Sequence, residues 1–131
     1  MGNPQYSDDP TILDGEVLYR RVPSDQWHWP EDRPQSGAFD DSPDGSPMSV
    51  AVQSKLLAAG LQPRDLIVNH PKFGLVSFTA GSARQLGFAV TADPPVAGEP
   101  GHGWVVGKKT TSRKRQLAKA CQMEVRPLPL G

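Results

Sequence analysis

Proline and glycine punctuate this chain so densely that they set the scale of anything it can fold into. Fourteen prolines and thirteen glycines among 131 residues place about a fifth of the positions in residues that stop helices, interrupt strand ladders or turn the backbone. Short elements joined by long ordered loops are therefore expected. The length still permits one domain with its own core, held without disulfides or metal. A hydrophobic content of 37% and a mean hydropathy of −0.47 keep that core modest.

The formal net charge is zero, yet its distribution is lopsided. Residues 1–65 hold eleven acids and five bases, and residues 66–131 hold three acids and nine bases, so the halves carry −6 and +6. Such a chain has two options. The halves attract each other inside the fold, or the basic half presents a face to an anionic partner. The single cysteine, Cys121, rules out an internal disulfide and a thiolate-rich metal site. No run approaches the length of a membrane span, and residues 1–10 are polar and acidic, unlike a signal peptide. A cytoplasmic protein without membrane contact is expected.

Taken in order, residues 1–13 offer little to bury and read as a frayed or draped, flexible tail; residues 14–131 then form a single α+β domain. Asp14-Gly15 is a turn, and Glu16–Val22 alternates as a strand, with Val17, Tyr19 and Arg21 on one face and Leu18, Arg20 and Val22 on the other. Each face carries one arginine. At least one guanidinium must then sit at the edge of the apolar layer and find an acid, a carbonyl or a ligand phosphate. Residues 23–47 hold five prolines and read as a long loop, ordered in its first half by Trp27 and Trp29. Met48–Val52 reads as a strand and Gln53–Ala59 as a helix stopped by Gly60; in residues 61–74 Pro63 and Asp65 suit a helix first turn while Leu66-Ile67-Val68 favours a strand, and a short helix ending near His70-Pro71 is the expectation. Leu75–Phe78 is a strand, Thr79 caps a helix through Leu86 with Gly87 as its stop, and Phe88–Ala92 is another strand. After a second irregular loop, residues 93–103, come a strand at Trp104–Val106 and a helix capped by Thr111 or Ser112. That helix buries a stripe of Leu117, Ala120 and Cys121, and Met123–Arg126 closes the domain as a strand. The sum is about six short strands in a mixed sheet with three or four helices.

Between Lys108 and Lys119 there are six bases and no acid. Arg113, Lys114 and Arg115 fall in the first turn of the expected helix, where the macrodipole disfavours cations by roughly 0.3–1 kcal/mol each. An anion there would relieve the conflict, and the hydroxyls of Thr110, Thr111 and Ser112 with Lys108 and Lys109 make it a candidate phosphate or nucleic-acid site. The structural alternative is pairing with the acids Asp40, Asp41 and Asp44. A P-loop is excluded, because His102 and Lys109 stand where that motif needs glycine and a hydroxyl. His28, His70 and His102 lack metal-ligand spacing, no GxSxG elbow exists, and Cys121 reads as a small core residue. Neither metal nor cofactor is expected. A last constellation is spread along the chain: Arg20 or Arg21, Arg33 with Trp27 and Trp29, Ser49 and His102. Arginine for phosphate, aromatics for a base and histidine for proton transfer suit a nucleotide pocket.

The string LYRRV, residues 18–22, is similar to the opening strand of small ADP-ribosyltransferase-like toxins of the RES type, in which an early arginine contacts NAD. That resemblance implies such a role for Arg20 or Arg21, while the family's glycine-rich stretch and later catalytic acid have no counterpart here. More of the chain resembles a group of uncharacterised small bacterial proteins, through LYRRVP, WPEDRPQSGAF, MSV and the HGWVVG strand followed by a basic helix. This second resemblance implies a bacterial accessory protein of a defence or toxin locus and no activity. Three readings result. The first is a binding module using its basic C-terminal half on nucleic acid or an acidic protein surface; the second is a nucleotide-handling enzyme. The third is a scaffold or complex subunit, for which Trp27 and Trp29 would form an exposed interface.

Overall fold

The computed structural model of the chain describes residues 7–92 and 101–128. Its strands are β1 (Val17–Pro23), β2 (Trp27–His28), β3 (Arg33–Pro34), β4 (Met48–Val52), β5 (Phe73–Thr79), β6 (Ala89–Ala92), β7 (His102–Val106) and β8 (Gln122–Val125). Three helices, α1 (Gln53–Ala58), α2 (Ala80–Gln85) and α3 (Thr111–Ala120), complete the α+β domain. Six strands form one sheet in the order β6-β7-β4-β1-β5-β8, and β2 pairs with β3 as a two-residue ribbon. Every pairing is antiparallel, so the sheet is not the mixed one expected.

The alternation read in β1 determines which layer lies on which side. Leu18 and Val22, both fully buried, face the larger core with Val52, Val76, Val90 and Val105. Complete burial of each such side chain contributes roughly 1.5–3 kcal/mol. α2 and α3 cover this side through Ala80, Ala83, Leu117 and Ala118, together with Trp27 and Phe39 from the loop after β1. The opposite side has a smaller core of Tyr19, Ala51, Leu56 and Leu75, over which a 3-10 turn at Pro63–Ile67 is laid. That 3-10 turn replaces the short helix expected in residues 61–74. Asp65 accepts the Gln62 amide at 2.7 Å, a capping box that tightens the turn.

The remaining boundaries follow local chemistry. Gly60 and Gly87 take left-handed φ values of 80° and 91° after α1 and α2, and Thr79 Oγ1 accepts from Ser82 N at 3.1 Å to cap α2. α3 is capped one or two residues earlier than expected, by Thr110, whose hydroxyl accepts from Arg113 N. Its buried stripe accordingly turns to Leu117 and Ala118, leaving Ala120 exposed. The described part of the N-terminal segment is draped: Asp9 N donates to Val90 O, Asp8 accepts from Val90 N and Arg84, and Ile12 is buried. The loop expected at residues 93–103 lies outside the described residues up to position 100. Among the described residues no helix is long and apolar enough to cross a membrane.

Gly74 is where β5 comes closest to the chain leaving β8. A Cβ there would stand 2.6 Å from Pro127 Cδ and 2.7 Å from Val125 O, and main-chain atoms cannot swing aside. Gly74→Ala is expected to destabilise the protein by about 1–3 kcal/mol, the usual range for overpacking. Amide exchange should accelerate selectively in residues 122–125 while β6 and β7 keep their protection; unchanged exchange in β8 would contradict this packing.

Candidate functional site

β1 and β4 pair only at Leu18↔Val52 and Tyr19↔Ala51, although β1 continues to Pro23 and β4 begins at Met48. Beyond Tyr19 the two central strands splay. The Arg20 side chain fills the split, donating to Ser49 O at 2.9 Å, Ser49 Oγ at 3.3 Å, Ala38 O at 3.0 Å and Asp40 O at 3.4 Å. The guanidinium thus supplies donors where a strand ladder would have done so. Loss of hydration, and then the neighbouring Arg21 charge, pull its pKa down to about 10, against the opposing pull of Asp41 and Asp40. It remains cationic at neutral pH. Of the partners anticipated for such an arginine, the structure uses carbonyls rather than an acid or a phosphate.

On the smaller-core side the splay opens a cleft of about 450 Å³. Its floor carries Tyr19, Arg21, Ser49 and Ala51, with Arg20 at the split; Leu66, His70 and Phe73 form one wall and His102 stands at the other. The structure therefore gathers Arg20, Arg21, Ser49 and His102, far apart in sequence, around one concavity. Arg21 is exposed, and its side chain makes no hydrogen bond or ion pair with any described residue. Phe73 and His70 lie with ring centroids 5.3 Å apart. Tyr19 was visible in the sequence as a face-mate of Arg21, whereas the contribution of His70 and Phe73 depended on how residues 61–74 fold.

The basic segment divides into two groups. Lys109, with only 4% of its side chain exposed, donates to Asp41 at 2.7 Å and to the carbonyls of Val105 and Gly107, both at 2.9 Å. Three donors meet three acceptors, and the ammonium lies 4.8 Å from the Phe88 ring centroid. Burial lowers its pKa and the Asp41 contact opposes that shift. Lys114 pairs with Asp40 at 2.7 Å, and Arg113 covers Phe88 and donates to Lys108 O. For these three the acids, carbonyls and Phe88 ring of the fold are the partners.

Lys108, Arg115 and Lys119 are exposed and form no ion pair with described residues. Arg115 and Lys119 instead line a shallow hollow of about 620 Å³ with His28, Arg33, Gln35 and Ser36. Arg33 holds Glu31 at 2.5 Å, and Glu31 N donates to His28 Nδ1 at 3.3 Å. The rim therefore carries three fixed cations against one carboxylate. The sequence reading omitted His28 and Lys119 from this group, because only the tertiary packing of the β2–β3 ribbon beside α3 joins them.

Trp27 is 1% exposed and belongs to the core; its Nε1 donates to Asp32 Oδ1 at 3.0 Å, and Asp32 also accepts from Arg126. These two donors hold Asp32 in a left-handed conformation, φ 55°, and lower its carboxyl pKa. Trp29, 37% exposed, is the only member of the expected tryptophan interface at the surface. The two do not form one exposed patch. Burial pushes the Cys121 thiol up to about 11, and Sγ lies 3.2 Å from Ala118 O, the environment of a packed thiol and not a nucleophile. Among the described residues no three His, Cys, Asp or Glu side chains converge as metal ligands.

Removing the Arg20 guanidinium leaves Ser49 O and Ala38 O without their donors. Arg20→Met is expected to lower stability in urea unfolding by about 2–4 kcal/mol, and Arg20→Lys to recover less than half of that loss, since one ammonium cannot span the fork. Wild-type stability in Arg20→Met would show that the split does not depend on this side chain. Compared with known proteins, the chain matches no family model, no curated relative and no solved structure.

Proposed function

We propose that this chain is a small binding module that engages an anionic partner, nucleic acid or an acidic protein surface, through the outer side of α3 and the adjoining ribbon. The observation that carries the reading is the hollow where Arg33, Arg115 and Lys119 converge from two elements with a single carboxylate beside them. Like charges on one rim repel and are unfavourable in the free protein, and a polyanion would turn that repulsion into attraction. Lys108, just ahead of α3, is a further exposed cation of the same segment. Lys109, Arg113 and Lys114 are outside the binding set, because acids and the Phe88 ring already hold them.

The enzyme reading keeps one favourable observation, the shared cleft of Arg21 and His102, but lacks a catalytic assignment. Asp65 lines that cleft, and its carboxylate is bound to the Gln62 amide. The scaffold reading loses its main support with the burial of Trp27.

Binding to a single-stranded oligonucleotide, a DNA duplex and polyglutamate, each followed across 50–200 mM salt, tests the proposal and separates the two partner classes. The triple variant Arg33→Gln, Arg115→Gln, Lys119→Gln is expected to weaken binding and to reduce the salt slope on duplex DNA by about 2.7, roughly 0.9 for each cation removed. Arg113→Gln should leave the slope near wild type. Undiminished binding by the triple variant, or no binding to any polyanion at 50 mM salt, overturns the reading.

A further inference from the structure

The sheet side opposite the cationic hollow holds a second concavity that the proposed polyanion interface does not use. Its floor geometry follows from register: Arg21 stands opposite Leu75, and Pro23 opposite Phe73, so Arg21 and Phe73 are diagonal neighbours on one face. Diagonal neighbours lie roughly 7–8 Å apart, within reach of long and aromatic side chains. Tyr19 shares that face two residues before Arg21, and its hydroxyl is fixed by the Gln53 side-chain amide at 2.7 Å, which holds the ring in place. Next to Tyr19 in the same row come Ala51 and then His102. Ala51 keeps the space between the two rings open.

We propose that this cleft binds a small ligand that carries both an oxyanion and an aromatic ring, with Arg21 taking the oxyanion and Phe73, His70 and Tyr19 flanking the ring. A planar guanidinium without a partner among the described residues is the donor geometry that matches phosphate or carboxylate through paired hydrogen bonds. An ordinary surface arginine has water on all sides, whereas Arg21 sits within a concavity of about 450 Å³, a usual size for a small-molecule site. Arg20 is already satisfied by carbonyls, so its charge adds attraction without competing for the ligand. The Asp65 carboxylate on the wall disfavours an anion on its side, and Asp65 with the Asn69 amide favours hydroxyl or amine substituents there. The ligand's orientation is thereby set: charge toward Arg21, polar ring substituents toward Asp65 and Asn69.

Amide chemical shifts of the full chain, titrated separately with adenosine 5′-monophosphate, 4-hydroxybenzoate, adenosine and inorganic phosphate, test the proposal and distinguish phosphate from carboxylate ligands. At least one of the two ring-bearing anions should give saturable shifts at Tyr19, Ser49 and Phe73, and adenosine and phosphate alone should bind at least ~10-fold more weakly. Arg21→Gln should weaken the ring-bearing anion ~10-fold or more, the usual effect of losing a charged paired contact, and Phe73→Leu should weaken it less. Arg115→Gln should leave it unchanged. Saturable shifts confined to residues around Arg115 and Lys119, no saturable shifts at all, or equal affinity in Arg21→Gln would each overturn the cleft assignment. The first of these outcomes would leave the polyanion interface standing, and loss of polyanion binding alone would leave the cleft standing.

Discussion

The arrangement depends on a guanidinium placed where two central strands part company. A sheet interior ordinarily satisfies its main-chain groups by ladder bonds, and an unpaired buried carbonyl costs about 1–3 kcal/mol. Where β1 and β4 separate, Arg20 meets that requirement from a side chain and also holds the carbonyl of Ala38, in the turn that packs under α3. One residue thereby couples the strand split, the placement of the Ser36–Phe39 turn and the opening of the cleft on the other side. An aliphatic residue could fill the volume but would leave the carbonyls bare.

The acidic and basic halves of the chain interlock around the same region. Asp40 and Asp41, immediately after that turn, take Lys114 and Lys109 from the far end of the sequence. This is the self-attraction implied by the −6 and +6 halves, and it accounts for part of the basic segment. It also explains how bases are tolerated near the start of α3: Lys114 has a carboxylate 2.7 Å away, and Arg113 lies over Phe88. What remains outward, Lys108, Arg115 and Lys119, has no such internal compensation among the described residues. Both halves of the original alternative are thus present, on different residues of one segment.

Much of the secondary structure was legible because its signals are local. The Thr79 cap, the glycine stops at Gly60 and Gly87, and the alternation in β1 each act within a few residues, and their positions hold. The strand order was not legible, since β4 joining β7 and β8 joining β5 depend on contacts distant in sequence. The ribbon at residues 27–34 was hidden for the same reason: Arg126 helps fix its Asp32 turn from the other end of the chain. For the candidate sites, face-sharing placed Arg21 beside Tyr19, but nothing local distinguished Lys109, which is buried, from Lys108, which is exposed. Lysine content alone overstated the available charge.

Lysine reactivity in the native protein tests this division most directly. Brief treatment with an amine-acetylating reagent at low modification, read residue by residue by mass spectrometry, should label Lys108 and Lys119 at least about 10-fold faster than Lys109 and Lys114, whose ammonium groups are engaged by carboxylates and shielded from solvent. Labelling of Lys109 at the rate of Lys119 would contradict the account, since it would mean that the basic segment is not locked to the acidic half and that the cationic face is not the one described.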